Sequence, residues 1–151
     1  MYLPMNNNFE LTKELLTQNG KITGLAYGNS MEPLLRHSKD NAVIIPITKP
    51  LKKNDVVLYR RPNTNELILH RIIKLTPNGF VIRGDNVYYT EYSVNTDDIV
   101  GVLEGFYRNK KYYECENNIF YKLYTLYIRL SYPIRLIFFK VLRKLKYILT
   151  K

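Results

Sequence analysis

The sequence has little cysteine, no secretory signal and no long uncharged apolar run, and each absence removes a class of protein. A single cysteine, Cys115, excludes an internal disulfide and any multi-cysteine metal site. Residues 1–8 lack the charged start and the apolar run of a secretory signal. The sequence contains no stretch of about 18 uncharged apolar residues, so we expect no conventional membrane-spanning helix. We expect one compact domain with an appendage, and no metal or other cofactor.

The net charge of +10 is concentrated towards the C-terminus. Residues 117–151 hold eight Lys or Arg and no Asp or Glu, so the rest of the chain carries only +2. A basic stripe over a folded face would favour a nucleic-acid partner. A basic tail that is also rich in Leu, Ile, Phe and Tyr favours an anionic membrane surface. We therefore expect no nucleic-acid partner, and a peripheral or interfacial position on the cytoplasmic membrane, with the side left open.

The pattern of hydrophobic and turn residues predicts a mainly β protein. Asn8 is a candidate N-cap for a short helix that ends at Asn19 and Gly20. Short strands separated by turn residues follow, at 21–27, 42–47, 55–60, 66–75, 79–83, 98–108 and 111–113. Strands interrupted this often favour an antiparallel barrel or sandwich over a βαβ sheet. We divide the chain into a helical segment (1–20), a β domain (21–116) and a basic amphipathic tail (117–151).

The tail at 118–150 has the composition of a helix, with Pro133 as its predicted kink. Two interpretations of this helix stay open: it packs on the core of the β domain, or it lies in a membrane interface. Seven charges would each cost ~2.5–3.5 kcal/mol near a bilayer centre, whereas each Lys or Arg near an anionic leaflet gains ~1 kcal/mol. We favour the interface, because at about 100° per residue most of the cations form one stripe: Lys122, Arg129, Lys140, Arg143, Lys144 and Lys151.

The segment GNSMEP at residues 28–33 carries a candidate nucleophile, Ser30. A nucleophilic serine needs a nearby base and backbone N–H groups that face the developing oxyanion. Gly28 permits the backbone of a substrate to approach closely, and Pro33 stiffens the exit from the turn. On its own the segment favours a serine in an ordinary turn over a nucleophile, and we expect Ser30 to be exposed.

Of the two histidines, His70 is the candidate base. His37 lies in a charged turn and is expected to be solvated. His70 lies in the most strand-like segment, and a period of two places it with Glu66 and Lys74 on the more polar face of that strand. A hydrogen-bonded structural histidine is the alternative interpretation.

Two carboxylates compete for the role of orienting that histidine. Asp85 follows Gly84 at a turn and is the first choice, since it can accept a hydrogen bond from the imidazole and fix its tautomer. It can equally be a turn aspartate that caps its own loop. Glu91, six residues further on, is the second choice.

Taken together, these segments resemble the conserved boxes of signal peptidase I. The segment SMEP (30–33) is similar to the family's serine box, and LHRII (69–73) stands where the family places its general base, a position that is His in the archaeal, endoplasmic-reticulum and small bacterial types. Three further segments match in order: KNDVVLY (53–59), RGDN (83–86) and DIVG (98–101). The resemblance extends from about residue 21 to residue 103, over half of the chain.

The resemblance implies a compact signal-peptidase-like antiparallel barrel and a serine endopeptidase that cleaves a signal, leader or precursor peptide near a membrane. Ser30 would form the acyl-enzyme, His70 would serve as the base, and Asp85 would be the third catalytic residue. The peptide would add as a strand beside residues 25–29, opposite residues 66–69. Substrate and oxyanion contacts are expected at Gly28, Asn29, Met31 and Leu69.

The departures from the family pattern keep other interpretations open. Before the serine box, where the family usually has a membrane anchor, we expect only a short helix, and Gly28 supplies no side-chain hydroxyl to the oxyanion hole. In the His-type enzymes the third acid lies several residues past Gly-Asp-Asn, which keeps Glu91 in contention with Asp85. A self-cleaving repressor-type regulator is one alternative, although residues 1–24 are too short for its DNA-binding domain. A catalytically inactive membrane-binding module is the other.

Overall fold

The computed structural model describes residues 8–62 and 64–149, with the side chains of residues 142–149 left out of the description. The chain divides into two compact units, Met1–Asn118 and Ile119–Lys151. The first unit contains helix α1 and eight strands, and the second is a single helix, α2. The elements are α1 (Phe9–Asn19), β1 (Ile22–Leu25), β2 (Asn41–Ile45), β3 (Val56–Arg60), β4 (Leu67–Thr76), β5 (Gly79–Arg83), β6 (Glu91–Val94), β7 (Ile99–Arg108), β8 (Lys111–Glu114) and α2 (Ile119–Leu149).

Helix α1 begins and ends where its capping residues predict. The side chain of Asn8 accepts a hydrogen bond from the Leu11 backbone N–H at 3.2 Å, which satisfies one of the unpaired donors of the first turn. Gly20 ends the helix in the left-handed conformation, with φ of 69°, which glycine adopts without steric cost. Phe9 and Leu16 are buried and face the sheet.

The eight strands form one antiparallel sheet, which confirms the mainly β class. The strand order is β1-β2-β7-β3-β4-β5-β6, and β8 also pairs with β7. The barrel expected from the sequence is not found, because the sheet is not closed: among the described residues, β1 and β6 are the two ends of the order and do not pair with each other. All the predicted strands are present, and no strand end differs from its predicted position by more than two residues. Strand β6 was not predicted, because its four residues are largely exposed and show no alternation.

The core of the sheet surrounds the segment that carries His70. Seven buried side chains pack into one cluster contributed by β3 to β7: Val57, Tyr59, Ile68, Ile72, Ile82, Val94 and Ile99. The first six residues of β4 are all buried, so the alternation that placed His70 on a polar face ends before it reaches this part of the strand. A strand covered on both faces shows continuous burial instead of alternation. His70 is therefore buried, on a face of the strand that it shares with Ile68 and Ile72.

Helix α2 confirms the helical prediction for the tail. It spans Ile119–Leu149 and continues through Pro133. No described helix is both long enough and apolar enough to cross a membrane. Of the predicted cationic stripe, Lys122, Arg129 and Lys140 are exposed, whereas Arg143, Lys144 and Lys151 lie outside the described side chains.

Candidate active site

Ser30 and His70 are brought together across 40 residues of sequence. The Oγ atom of Ser30 lies 2.9 Å from Nε2 of His70, which is within hydrogen-bond distance. Ser30 follows β1 in a turn, and its predicted exposure is wrong, since only 8% of the residue is accessible. A hydroxyl beside an imidazole nitrogen is the arrangement that base-assisted nucleophilic attack requires.

The segment Gly84 to Asn86 holds the serine turn from one side. The backbone N–H of Asn86 donates to the carbonyl of Ser30 at 2.7 Å, and its side-chain amide donates to the carbonyl of Asn29 at 3.1 Å. Gly84 is essential to this approach, because a Cβ atom there would lie 2.6 Å from the Ser30 carbonyl oxygen and 2.9 Å from His70 Nε2. The RGDN motif in the sequence did not by itself predict this role for Gly84.

An ion cluster holds the serine turn from the other side. The carboxylate of Asp40 is fully buried and accepts hydrogen bonds from Arg36 at 2.8 Å and from Arg108. Burial by itself raises the pKa of Asp40, but the bonds from Arg36 and Arg108 outweigh it and lower that pKa to about 2. Arg108 also donates to the carbonyls of Pro33 and Leu34, at 3.1 and 3.0 Å. The loop that follows Ser30 is thereby fastened to the end of β7.

The imidazole of His70 is fully buried. Burial lowers its pKa to about 2, and the positive charge of Arg61 acts in the same direction. The ring is therefore neutral at neutral pH and can accept a proton. On its second nitrogen, Nδ1, the ring meets the hydroxyl of Tyr59 at 3.3 Å and Oε1 of Glu91 at 3.7 Å.

The carboxylate of Asp85 forms an ion pair with Arg71. Its two carboxylate oxygens accept hydrogen bonds from Nε and Nη2 of Arg71, at 2.8 and 2.7 Å, and both side chains are buried. Arg71 also donates to the carbonyl of Asn54, before β3. The geometry therefore favours Glu91 over Asp85 as the carboxylate on the Nδ1 side of His70, contrary to the sequence-based preference. Sequence spacing did not reveal this, since Asp85 and Arg71 meet only through the pairing of β4 with β5.

Glu91 lies on β6 and is held by Arg61. Its Oε1 atom accepts hydrogen bonds from Nε and Nη2 of Arg61, at 3.2 and 2.8 Å. A surface pocket of about 420 Å³ opens beside this pair, lined by Arg61, Pro62, Tyr89, Glu91, Tyr92 and Val94. The ring of Tyr89, one of the residues that line the pocket, lies 6.4 Å from that of His70, measured between centroids.

The four residues predicted to contact substrate fall into two groups. Gly28 and Asn29 lie on the accessible turn before Ser30, and Gly28 has a positive φ of 86° that glycine tolerates. The backbone N–H of Gly28 donates to Nδ1 of the exposed His37 at 2.8 Å. Met31 and Leu69 are fully buried, so their side chains belong to the core.

Among the described side chains, no group of three His, Cys, Asp or Glu residues is arranged to hold a metal ion. The chemistry at this site is that of a hydroxyl, an imidazole, a phenol and carboxylates. No model of a known protein family matches the chain, and no curated protein matches it at a significant level.

The structural role of Asp85 can be tested by removing its charge. We expect Asp85→Asn to lower the free energy of unfolding by about 3–5 kcal/mol, because it removes the negative charge that the buried guanidinium of Arg71 binds through two hydrogen bonds. Asp98→Asn is the matched control: it breaks the Arg60–Asp98 pair, whose side chains are 37% and 16% exposed, and should cost about 1 kcal/mol or less. Urea unfolding measures both losses. Complete loss of activity in an Asp85→Asn protein of undiminished stability would contradict this assignment.

Proposed function

We propose that the chain is a serine endopeptidase of the signal peptidase I type, with Ser30 as the nucleophile and His70 as the general base. The observation that carries the proposal is the 2.9 Å contact between Ser30 Oγ and Nε2 of a buried imidazole whose pKa is lowered. His37 also contacts a serine, Ser38, at 3.1 Å, but that pair is exposed. Burial distinguishes the first pair, because a low-dielectric environment strengthens the interactions of the charges that develop during reaction.

The proposed reaction follows from these positions. As Ser30 Oγ attacks the scissile carbonyl, its proton moves to Nε2 of His70. The backbone N–H of Ser30 is the expected donor to the oxyanion. The imidazolium then protonates the leaving amine, which departs as the C–N bond breaks and leaves an acyl-enzyme. Water, deprotonated by the same nitrogen, releases the acyl group and restores Ser30.

The sheet supports an extended peptide as the substrate. Strand β1 ends the strand order, so among the described residues one of its edges has no strand partner. In β4, residues 67–70 pair with β3, whereas the pairing with β5 begins at Arg71. Backbone donors and acceptors on such edges bind an added strand. A signal, leader or precursor peptide with small residues before the cut fits the proposed family.

The surface of α2 supports attachment to an anionic membrane. Its large apolar side chains are exposed, and at about 100° per residue they fall on one side of the helix: Phe120, Leu123, Tyr127, Leu130, Ile134, Ile137, Phe138 and Val141. The exposed cations Lys122, Arg129 and Lys140 lie along one border of that side. An apolar face bordered by cations is typical of helices that lie in the membrane interface.

We expect Ser30→Ala to abolish cleavage of a quenched fluorescent peptide library with small residues before the cut. Cleavage is lost because the nucleophile is removed, while a single buried oxygen contributes little to folding. Ser38→Ala is the matched control, since it removes the hydroxyl of the exposed serine–histidine pair and should leave cleavage unchanged. Cleavage by folded Ser30→Ala protein at the wild-type rate would refute the mechanism. Shortening of the chain itself, seen by mass spectrometry, would favour the self-cleaving alternative.

The lowered pKa of His70 predicts how activity and stability depend on pH. An ordinary histidine has a pKa near 6.5, whereas burial keeps His70 neutral well below that pH in the folded protein. We therefore expect kcat/KM to show no acidic limb between pH 6 and 7. Because the unfolded chain takes up the proton near 6.5 and the folded chain does not, stability should fall as pH drops below about 6.5. Urea unfolding at pH 7 and pH 5 checks this, and a His70→Gln protein should show a smaller fall.

Membrane binding should depend on the charges of α2. We expect the triple variant Lys122→Gln, Arg129→Gln, Lys140→Gln to lose about 3 kcal/mol of affinity for anionic vesicles, at about 1 kcal/mol per cation. Co-sedimentation with phosphatidylserine vesicles measures the loss. In a control variant, three exposed cations outside α2 are changed to Gln: Lys21, Lys39 and Lys53. An equal loss of affinity in both variants would place the binding surface outside α2.

A further inference from the structure

A buried tyrosine lies beside the candidate base, on the same side as the nearest carboxylate described. Tyr59 is inaccessible to solvent, and its hydroxyl lies 3.3 Å from Nδ1 of His70. The distance from His70 Nδ1 to Glu91 Oε1 is 3.7 Å, which is too long for a hydrogen bond. Burial raises the pKa of the phenol, and the charge of Glu91 acts in the same direction. The phenol and the carboxylate therefore both face Nδ1, and the phenol makes the shorter contact.

The number of available protons determines the direction of the contact between Tyr59 and His70. A phenol has one proton to donate and an oxygen that accepts, whereas an ionised carboxylate only accepts. Burial and the negative charge of Glu91 raise the pKa of Tyr59, so the phenol keeps its proton. If Tyr59 donated to His70, its oxygen would face the Glu91 carboxylate with no proton between two acceptors. The favourable arrangement has Tyr59 donating to Glu91 and accepting from the Nδ1–H group of His70.

We propose that Tyr59 is a positioning residue, which keeps the proton of His70 on Nδ1 and so leaves the Nε2 lone pair directed at Ser30. This inference rests on the proposed serine peptidase mechanism and adds a phenol in contact with the base. Glu91 acts through Tyr59, and Arg61 fixes Glu91 by two hydrogen bonds while a third joins Arg61 to Glu66 at 3.1 Å.

A neutral phenol as the closest group to Nδ1 has an electrostatic consequence. A carboxylate in direct contact with Nδ1 would favour the charged imidazolium and hold the base protonated at higher pH. Glu91 lies further from Nδ1 than the phenol does, at 3.7 Å against 3.3 Å, so it makes no hydrogen bond to the ring. Two further titratable side chains lie near the imidazole of His70. The ring of Tyr89 is 6.4 Å away, measured between centroids, and the charge of Arg61 adds to burial in lowering the pKa of His70.

The test compares two tyrosines whose pKa values are both raised by burial and by a neighbouring glutamate. Tyr112 donates its hydroxyl to Glu104 at 2.9 Å, on β8 and β7, and provides the matched control. We expect Tyr59→Phe to lower kcat on the quenched peptide library about tenfold with KM unchanged, since the tautomer that can accept the Ser30 proton becomes less populated. Tyr112→Phe should leave both constants within about twofold of wild type. An unchanged kcat in Tyr59→Phe would overturn the proposal.

A second comparison keeps the proposal testable if Tyr59→Phe folds poorly. Glu91→Gln should lower kcat by less than tenfold, because Tyr59 remains in place. If Glu91 acts only through Tyr59, the double variant should lose no more than Tyr59→Phe alone. A larger loss in Glu91→Gln than in Tyr59→Phe, or losses that add, would show that Glu91 acts on His70 directly and would overturn the role of Tyr59.

Nitrogen-15 NMR of histidine-labelled protein separates this inference from the proposed function. The chain has two histidines, so His70→Gln assigns the spectrum and His37 serves as the internal reference. We expect Nδ1 of His70 to be protonated in the wild type, and the Nε2–H form to appear in Tyr59→Phe. A wild-type ring protonated on Nε2 would overturn the inference whether or not the protein cleaves peptides. Conversely, cleavage that survives Ser30→Ala would refute the proposed function and leave the tautomer result standing.

Discussion

The antiparallel pairing of β3 with β4 is the constraint on which the site depends. It places Val57 opposite His70 and Tyr59 opposite Ile68, so that both polar rings emerge on one buried face, diagonally across the two strands. A shift of one residue in this register would turn His70 towards the other face and away from Ser30. The surrounding cluster of aliphatic side chains excludes water from the imidazole, and this desolvation keeps the ring neutral.

The nucleophile, by contrast, lies on a turn, and its position comes from contacts distant in sequence. Asn86 binds the backbone of the serine turn from one side, and Arg108 binds the following loop from the other. Gly84 allows the closest of these approaches, because no side chain fits between Ser30 and His70 at that point. A rigid strand thus carries the base, while a loop clamped at both ends carries the serine. This division is expected where a reactive hydroxyl must be held within a few tenths of an ångström.

Two arginine–carboxylate pairs on neighbouring strands have different surroundings. The Arg71–Asp85 pair is buried and satisfies both carboxylate oxygens, which makes Asp85 part of the scaffold that holds the serine turn. The Arg61–Glu91 pair is partly exposed, borders the pocket and presents its carboxylate to Tyr59. Sequence position alone made Asp85 the more probable partner of His70, since it follows the Gly84 turn. The pairing partners of β4 and β5 reverse that preference.

Local patterns in the chain were sufficient to predict the mainly β class, the Asn8 cap, the C-terminal helix and the candidates Ser30 and His70. These features depend on periodicity, turn residues and short motifs, all of which involve residues that are close together in the sequence. The open sheet, the burial of His70, Met31 and Leu69, the Arg71–Asp85 pair and the contact of Tyr59 with His70 were not predictable in this way. Each depends on which strands pair, in what register and with which bulges. Such contacts between residues far apart in sequence form only when the whole sheet assembles, and no single segment encodes them.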